Sequence, residues 1–177
     1  MKNKIHLIIL LFISSIISVK ASVATNSNLP DNEDEFEVLM QKIRLDFAKN
    51  PSIDEALKKY NETDGSFTDV DYSSIQRTKW PPLEHVDRLY DFAFAYTNSK
   101  NKYYKDESLF TKIEKGLEYW HERNPWCHNW WYNQIAEPQR LGVLLIQLRI
   151  GEKHLNTELE NKILERIKTD GGDPAKW

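Results

Sequence analysis

An all-α fold is predicted by three features of the sequence. Apolar residues recur at three- and four-residue spacing in successive stretches. Pro, Asn, Asp and Gly sit between those stretches, where helices stop and start. No convincing run alternates apolar and polar residues as a half-buried strand does.

The first periodic stretch carries Phe36, Leu39, Met40, Ile43 and Phe47 on one face and ends near Asn50-Pro51. Ser52 and Glu55 have capping-box spacing, which predicts a short helix through Ala56, Leu57 and Tyr60. "NETDGSFTDVDY" (61–72) reads as a loop with an Asp-Gly turn. Pro81-Pro82 suits the first turn of a helix, where a missing N–H costs nothing, and Leu83, Val86, Leu89, Tyr90, Ala93, Phe94 and Tyr96 continue it. Leu109, Phe110, Ile113, Leu117 and Trp120 form the cleanest amphipathic stripe. Pro138 is expected to start a further helix, whose "LGVLLIQL" interior predicts burial on most sides. Leu155, Leu159, Ile163 and Ile167 mark the last helix, ended by "DGGDP" (170–174).

The N-terminus predicts export. Met1 to Lys4 is cationic, Ile5 to Val19 is almost unbroken apolar sequence, and Val19-Lys20-Ala21 fits a small-x-small cleavage site. Residues 1–21 therefore read as a signal peptide, 22–32 as a polar linker, and 33–177 as the structured region of a protein that is secreted or periplasmic. The mature length suits one ordinary domain or part of a larger one. With a single cysteine the chain can form no internal disulfide, so its core must hold it. The net charge of −3 argues against nucleic-acid or membrane-surface partners, which call for a basic excess. A Gly-Gly-Asp-Pro turn followed by a final Trp177 predicts that the chain is part of something longer.

The densest chemistry lies in "NPWCHNWWYNQIAEPQRLG" (124–142). A core reading suits a single Trp, and Trp126 and Tyr132 are expected inside. Trp130 and Trp131 are adjacent, however, and helical neighbours point about 100° apart, so both cannot enter one core face. Asn124, Asn129, Asn133 and Gln134 interleave amides with the rings. That combination suits a sugar, whose C–H faces stack on aromatics while its hydroxyls pair with planar amides. Cys127-His128 has no second cysteine, and His121, His128 and His154 lack zinc-site spacing; the thiol reads as packed and inert, with no metal or cofactor implied. Asp64, Asp69 and Asp71 lack the glycine and glutamate positions of a calcium loop and read as turn and cap residues. His85 and Arg88, one turn apart, could face an anion or simply pair with Glu84 and Asp87 on the surface.

Three landmarks together resemble a known family. "DGSFTDVDY" (64–72), "WPPLEHVDRL" (80–89) and "NWWYNQIAEPQRLG" (129–142) are similar to the N-terminal helical domain of polysaccharide lyase family 8, which includes chondroitin AC, hyaluronan and xanthan lyases. Phe67 stands where Trp is expected, and Ala136-Glu137 where Gly and a small apolar residue are commoner.

The resemblance implies an incomplete (α/α) toroid of antiparallel helix pairs around a cleft, acting on an acidic polysaccharide and monomeric at full length. It implies β-elimination: an asparagine neutralises the uronate carboxylate, and a Tyr helped by His and Arg moves the C5 proton to the leaving oxygen. Asn129, Trp130 and Trp131 match substrate-cleft residues of the family. The neutralising asparagine belongs to a segment that follows a "DP-x-x-W" stretch, here "DPAKW" (173–177), so no catalytic residue is assigned within the chain. A non-catalytic carbohydrate-binding helical domain is the alternative reading. An (α/α)-toroid glycoside hydrolase would need paired carboxylates across the cleft, which nothing in the sequence singles out.

Overall fold

The computed structural model describes residues 35–150 and 153–170. Regular structure there is helical: α1 (Glu35–Asp46), α2 (Asp54–Lys59), α3 (Leu83–Thr97), α4 (Glu107–Arg123), a π-helical turn (Tyr132–Ala136), α5 (Glu137–Ile150) and α6 (Thr157–Asp170). Strand pairing among the described residues is limited to one isolated bridge between Tyr60 and Phe67. The predicted signal peptide (1–21), the linker (22–32) and the end of the chain from 171 lie outside the described residues, as does the side chain of Phe36.

Helical spacing became burial where the stripe was cleanest. On α4, Leu109, Phe110, Ile113, Gly116, Leu117 and Trp120 are buried, one face over about three turns. Asp106 caps this helix by accepting the Leu109 N–H at 3.0 Å. The chain leaves it at Asn124, whose left-handed backbone suits an asparagine. Leu141 to Leu148 on α5 are buried throughout, Gln147 included, as a nearly all-apolar run predicts. Leu155, Leu159, Ile163 and Ile167 line the buried side of the α6 region.

α3 is the structural centre, buried continuously from Phe92 to Thr97. It packs on α4 and α5; α6 packs on both of those, closing a four-helix circuit, and α1 leans on α5 from outside. The loop between α3 and α4 ties down the chain ahead of α2. Asn98 Nδ2 donates to Lys49 O at 3.1 Å, Asn101 Nδ2 to Pro51 O at 2.9 Å, and the Tyr103 hydroxyl to Asp54 Oδ1 at 2.6 Å.

Three local expectations need correction. The Ser52/Glu55 capping box does not form: Ile53 holds the N-cap place and is buried, and Glu55 pairs with Lys58 at 2.6 Å. Burial of Ile53 decides where α2 begins. Pro81-Pro82 precede α3 rather than forming its first turn; tight bonds from Leu83 N to Trp80 O and from His85 N to Pro82 O lead into it. Pro138 does not start a helix. Helical structure is already running from residue 130, and the π turn lets it pass through the proline. Its widened ladder bonds Glu137 N–H to Tyr132 O, five residues back, which accommodates a residue with no N–H of its own.

Candidate carbohydrate-stacking site

Residues 124–129 join α4 to the helix that enters the π turn, Trp130 and Trp131 open that helix, and buried groups hold the segment from three directions. Pro125 is buried, and its carbonyl accepts Arg166 Nη2 from α6 at 3.0 Å. The neighbouring Asn124 Oδ1 accepts Arg166 Nη1. Cys127, fully buried, is bracketed by Asn133: its N–H donates to Asn133 Oδ1 at 3.0 Å and its carbonyl accepts Asn133 Nδ2 at 2.6 Å. The third tie runs to the segment before α3. Cys127 Sγ donates to Gln76 O at 3.2 Å, and Asn129 Nδ2 donates to Arg77 O at 2.9 Å.

Between these anchors the aromatic rings face water. Trp126 is 57 % exposed, Trp130 59 % and Trp131 43 %, whereas Trp120, only six residues before Trp126, is fully buried. Trp126 lies edge-on to His128 with ring centroids 4.9 Å apart, and Trp131 edge-on to the half-buried Tyr132 at 5.2 Å. Trp126 therefore does not belong to the core, contrary to expectation. Its flanking residues are the buried ones, and with both held, the side chain between them is turned outward.

Asn129 is half-buried and already makes two internal bonds, one to Arg77 O and one in which its Oδ1 accepts Trp131 N–H at 3.1 Å. It sets the helical start that carries Trp130 and Trp131. Asn133 is buried and committed to Cys127. The thiol is likewise committed, donating to Gln76 and accepting from Asn129 N–H at 3.4 Å.

A buried ion pair supports the base of the segment. Glu137 and Arg166 pair through Glu137 Oε1 and Arg166 Nε, with side chains 1 % and 7 % exposed. The same oxygen accepts Trp120 Nε1–H at 2.8 Å, and the guanidinium lies 5.3 Å from the Trp120 ring. The sequence marks Glu137 only as an unusual residue at its position and does not mark Arg166 at all.

The first loop landmark is also built inward. Phe67 is buried, and its N–H donates to the Tyr72 hydroxyl at 2.9 Å. That hydroxyl lies 2.8 Å from His85 Nδ1, and His85 Nε2 donates to Gly116 O at 2.9 Å. His85 is fully buried rather than facing an anion at the surface, and burial pulls its pKa down to about 4. Arg88 does pair with Glu84, and also forks onto Asp69 at 2.6 and 3.0 Å. Asp64 and Asp71 each accept both the N–H and the hydroxyl of the serine two residues on, as turn residues do.

Comparisons with known proteins point one way. Residues 25–177 match the family described as polysaccharide lyase family 8, N-terminal alpha-helical domain. The chain is 38 % identical over 144 residues to chondroitinase-AC of Pedobacter heparinus, covering 79 % of this chain and 20 % of that protein. Among solved structures it is similar to chondroitinase AC lyase, described in complex with oligosaccharides. The TM-score is 0.74 at 36 % identity, over 80 % of this chain and 21 % of the other. The chain thus spans about a fifth of the length of the chondroitinase relatives it matches.

Proposed function

The chain belongs to polysaccharide lyase family 8, as its N-terminal α-helical domain, and from that membership we propose that it works in an exported lyase that cleaves uronate-containing acidic polysaccharide by β-elimination. Its helices form part of an (α/α) toroid, and the 124–131 segment supplies a wall of the substrate cleft. The carrying observation is the pair of exposed indoles, Trp130 and Trp131, on a backbone pinned by buried groups. An exposed tryptophan with a free-moving backbone would lose much of its stacking energy to ordering; one that is held in advance does not. Sugar rings present axial C–H faces that stack on such indoles.

Asn129 serves this platform in two ways. Its two internal bonds fix the turn before Trp130, and it retains one amide hydrogen and one lone pair for a sugar hydroxyl. The anchoring carbonyl belongs to Arg77, an exposed cation, and exposed Lys79 follows two residues on. These charges suit an anionic polymer although the chain as a whole carries −3. Substrate positioning is this segment's contribution; no acid or base for the elimination step is assigned to it. Export rests on the cationic and apolar pattern of residues 1–21.

The test is digestion of chondroitin sulfate, hyaluronan and xanthan by the product of the complete reading frame that contains this sequence. Ultraviolet absorbance from unsaturated uronate ends is the expected result. Binding of these polymers with no such absorbance would replace the lyase reading with that of a non-catalytic carbohydrate-binding domain.

A further inference from the structure

We infer that Arg166 is a positioning residue for the carbohydrate-stacking segment, acting from α6 through Asn124 and Pro125 rather than by touching substrate; the inference rests on the platform reading above. Four groups from three parts of the fold converge on its guanidinium. Nε pairs with Glu137 Oε1 at the head of α5, Nη1 donates to Asn124 Oδ1, Nη2 donates to Pro125 O at 3.0 Å, and the plane lies 5.3 Å from the Trp120 ring. A point-charge ammonium could neutralise Glu137, but only a planar fork reaches the carboxylate and the two loop oxygens together.

The placement is informative. Asn124 and Pro125 are the two residues immediately before exposed Trp126, and Asn124 carries the left-handed turn that ends α4. Glu137 is the residue that follows the π turn, and Trp130 and Trp131 lie directly before that turn. Arg166 therefore joins both ends of the aromatic segment to a helix that contributes none of its exposed rings. A buried ion pair alone is a poor source of stability, since well-packed apolar residues often serve as well or better. Here the pair makes a junction that apolar side chains could fill but could not reproduce.

Two variants separate positioning from mere folding in the complete protein. Arg166→Met alone would strand a buried carboxylate, so the double variant Glu137→Gln/Arg166→Met removes both charges while leaving an amide oxygen for Trp120 Nε1. Arg166→Lys keeps the charge and loses the fork. Both are expected to melt close to the parent yet exchange amide hydrogens faster across residues 124–131. Both should also raise KM for the cleaved polysaccharide, with roughly a tenfold to hundredfold loss in kcat/KM and little change in kcat.

Trp130→Ala and Trp131→Ala are measured alongside. If these raise KM but the two Arg166 variants, folded, keep parental KM, the positioning inference falls and the platform reading stands. Should the tryptophan variants also keep parental KM, the platform reading falls and takes the inference with it.

Discussion

Asn133 closes on Cys127 from both sides, accepting its N–H at 3.0 Å and donating to its carbonyl at 2.6 Å, so that one buried amide completes the hydrogen bonding of a buried peptide residue. Without it a donor and an acceptor would lie in the core with no water to replace them. Asn133→Ala is therefore expected to destabilise the fold by about 2–4 kcal/mol, and Asn133→Asp by a comparable amount because a carboxylate would face the carbonyl. Urea unfolding measures both. A loss below about 1 kcal/mol for the alanine variant would mean that the loop finds other partners.

The tryptophans should divide sharply by site. Trp126→Ala, Trp130→Ala and Trp131→Ala remove rings that are exposed rather than core, and each should change stability by no more than about 1 kcal/mol. Trp120→Ala empties a fully buried site and leaves Glu137 short of a donor, for an expected cost of about 3–5 kcal/mol. Thermal melts of the four variants test the division.

His85 gives the fold a pH dependence that can be separated from that of its carboxylates. Its pKa falls from 6.5 to about 4 on folding, chiefly by burial. The unfolded chain thus binds the extra proton first, and stability is full above pH 6.5 and lost as pH falls toward 4. The span corresponds to about 3 kcal/mol. Depressed carboxylates such as Asp69, held down by the Arg88 fork, contribute stability above their unfolded values, so their loss begins lower, below about pH 4. Asp87, raised by burial, opposes that trend, because its folded form takes up a proton more readily as pH falls. His85→Gln should flatten the stability profile between pH 6.5 and 4 while leaving the steeper acid limb in place. An unchanged slope in that window would show that His85 is not its source.

Two glycines test how closely the first loop lies on α4. Gly65 has φ of +83°, and a Cβ there would fall 2.5 Å from Lys115 O, part of a helix backbone that cannot step aside. Gly116 would bring a Cβ to 2.6 Å from Leu89 Cδ2, a side-chain end that can rotate. Gly65→Ala should cost at least about 2 kcal/mol and Gly116→Ala less, by urea unfolding. The reverse order would mean that the loop moves more easily than the core.

The sequence was most readable where a residue's environment depends on its near neighbours. Helix α4 is the example: its stripe follows from spacing alone, and every predicted stripe residue is buried. Residues whose surroundings come from distant chain were opaque. Trp120 and Trp126 look alike in sequence, but one packs against Arg166, from a helix some forty residues on, while the other is turned outward by its buried flanks. Glu137 looked like an anomaly inside an apolar motif until its partner on α6 was seen. His85 and Arg88 share a helix face by spacing, but the loop carrying Phe67 and Tyr72 buries His85 fully, whereas Arg88 lies over the Phe67 ring with its fork turned out onto Asp69. Capping and turn residues were half legible: Asp64 and Asp71 behave as turn formers, whereas Ser52 was overruled by the burial of Ile53.

The π turn over Tyr132–Ala136 sets how the exposed indoles before it sit relative to the helix after it. Such a turn amounts to one residue inserted into an otherwise regular helix. It fixes the angular offset between the two indoles at one end and the apolar α5 at the other. Removing a single residue between 132 and 136 would restore the regular ladder and swing Trp130 and Trp131 about 100° around the axis. The core side of α5 would keep its register while the rings moved off their present face. One codon thus acts as a dial on the direction in which the two indoles point.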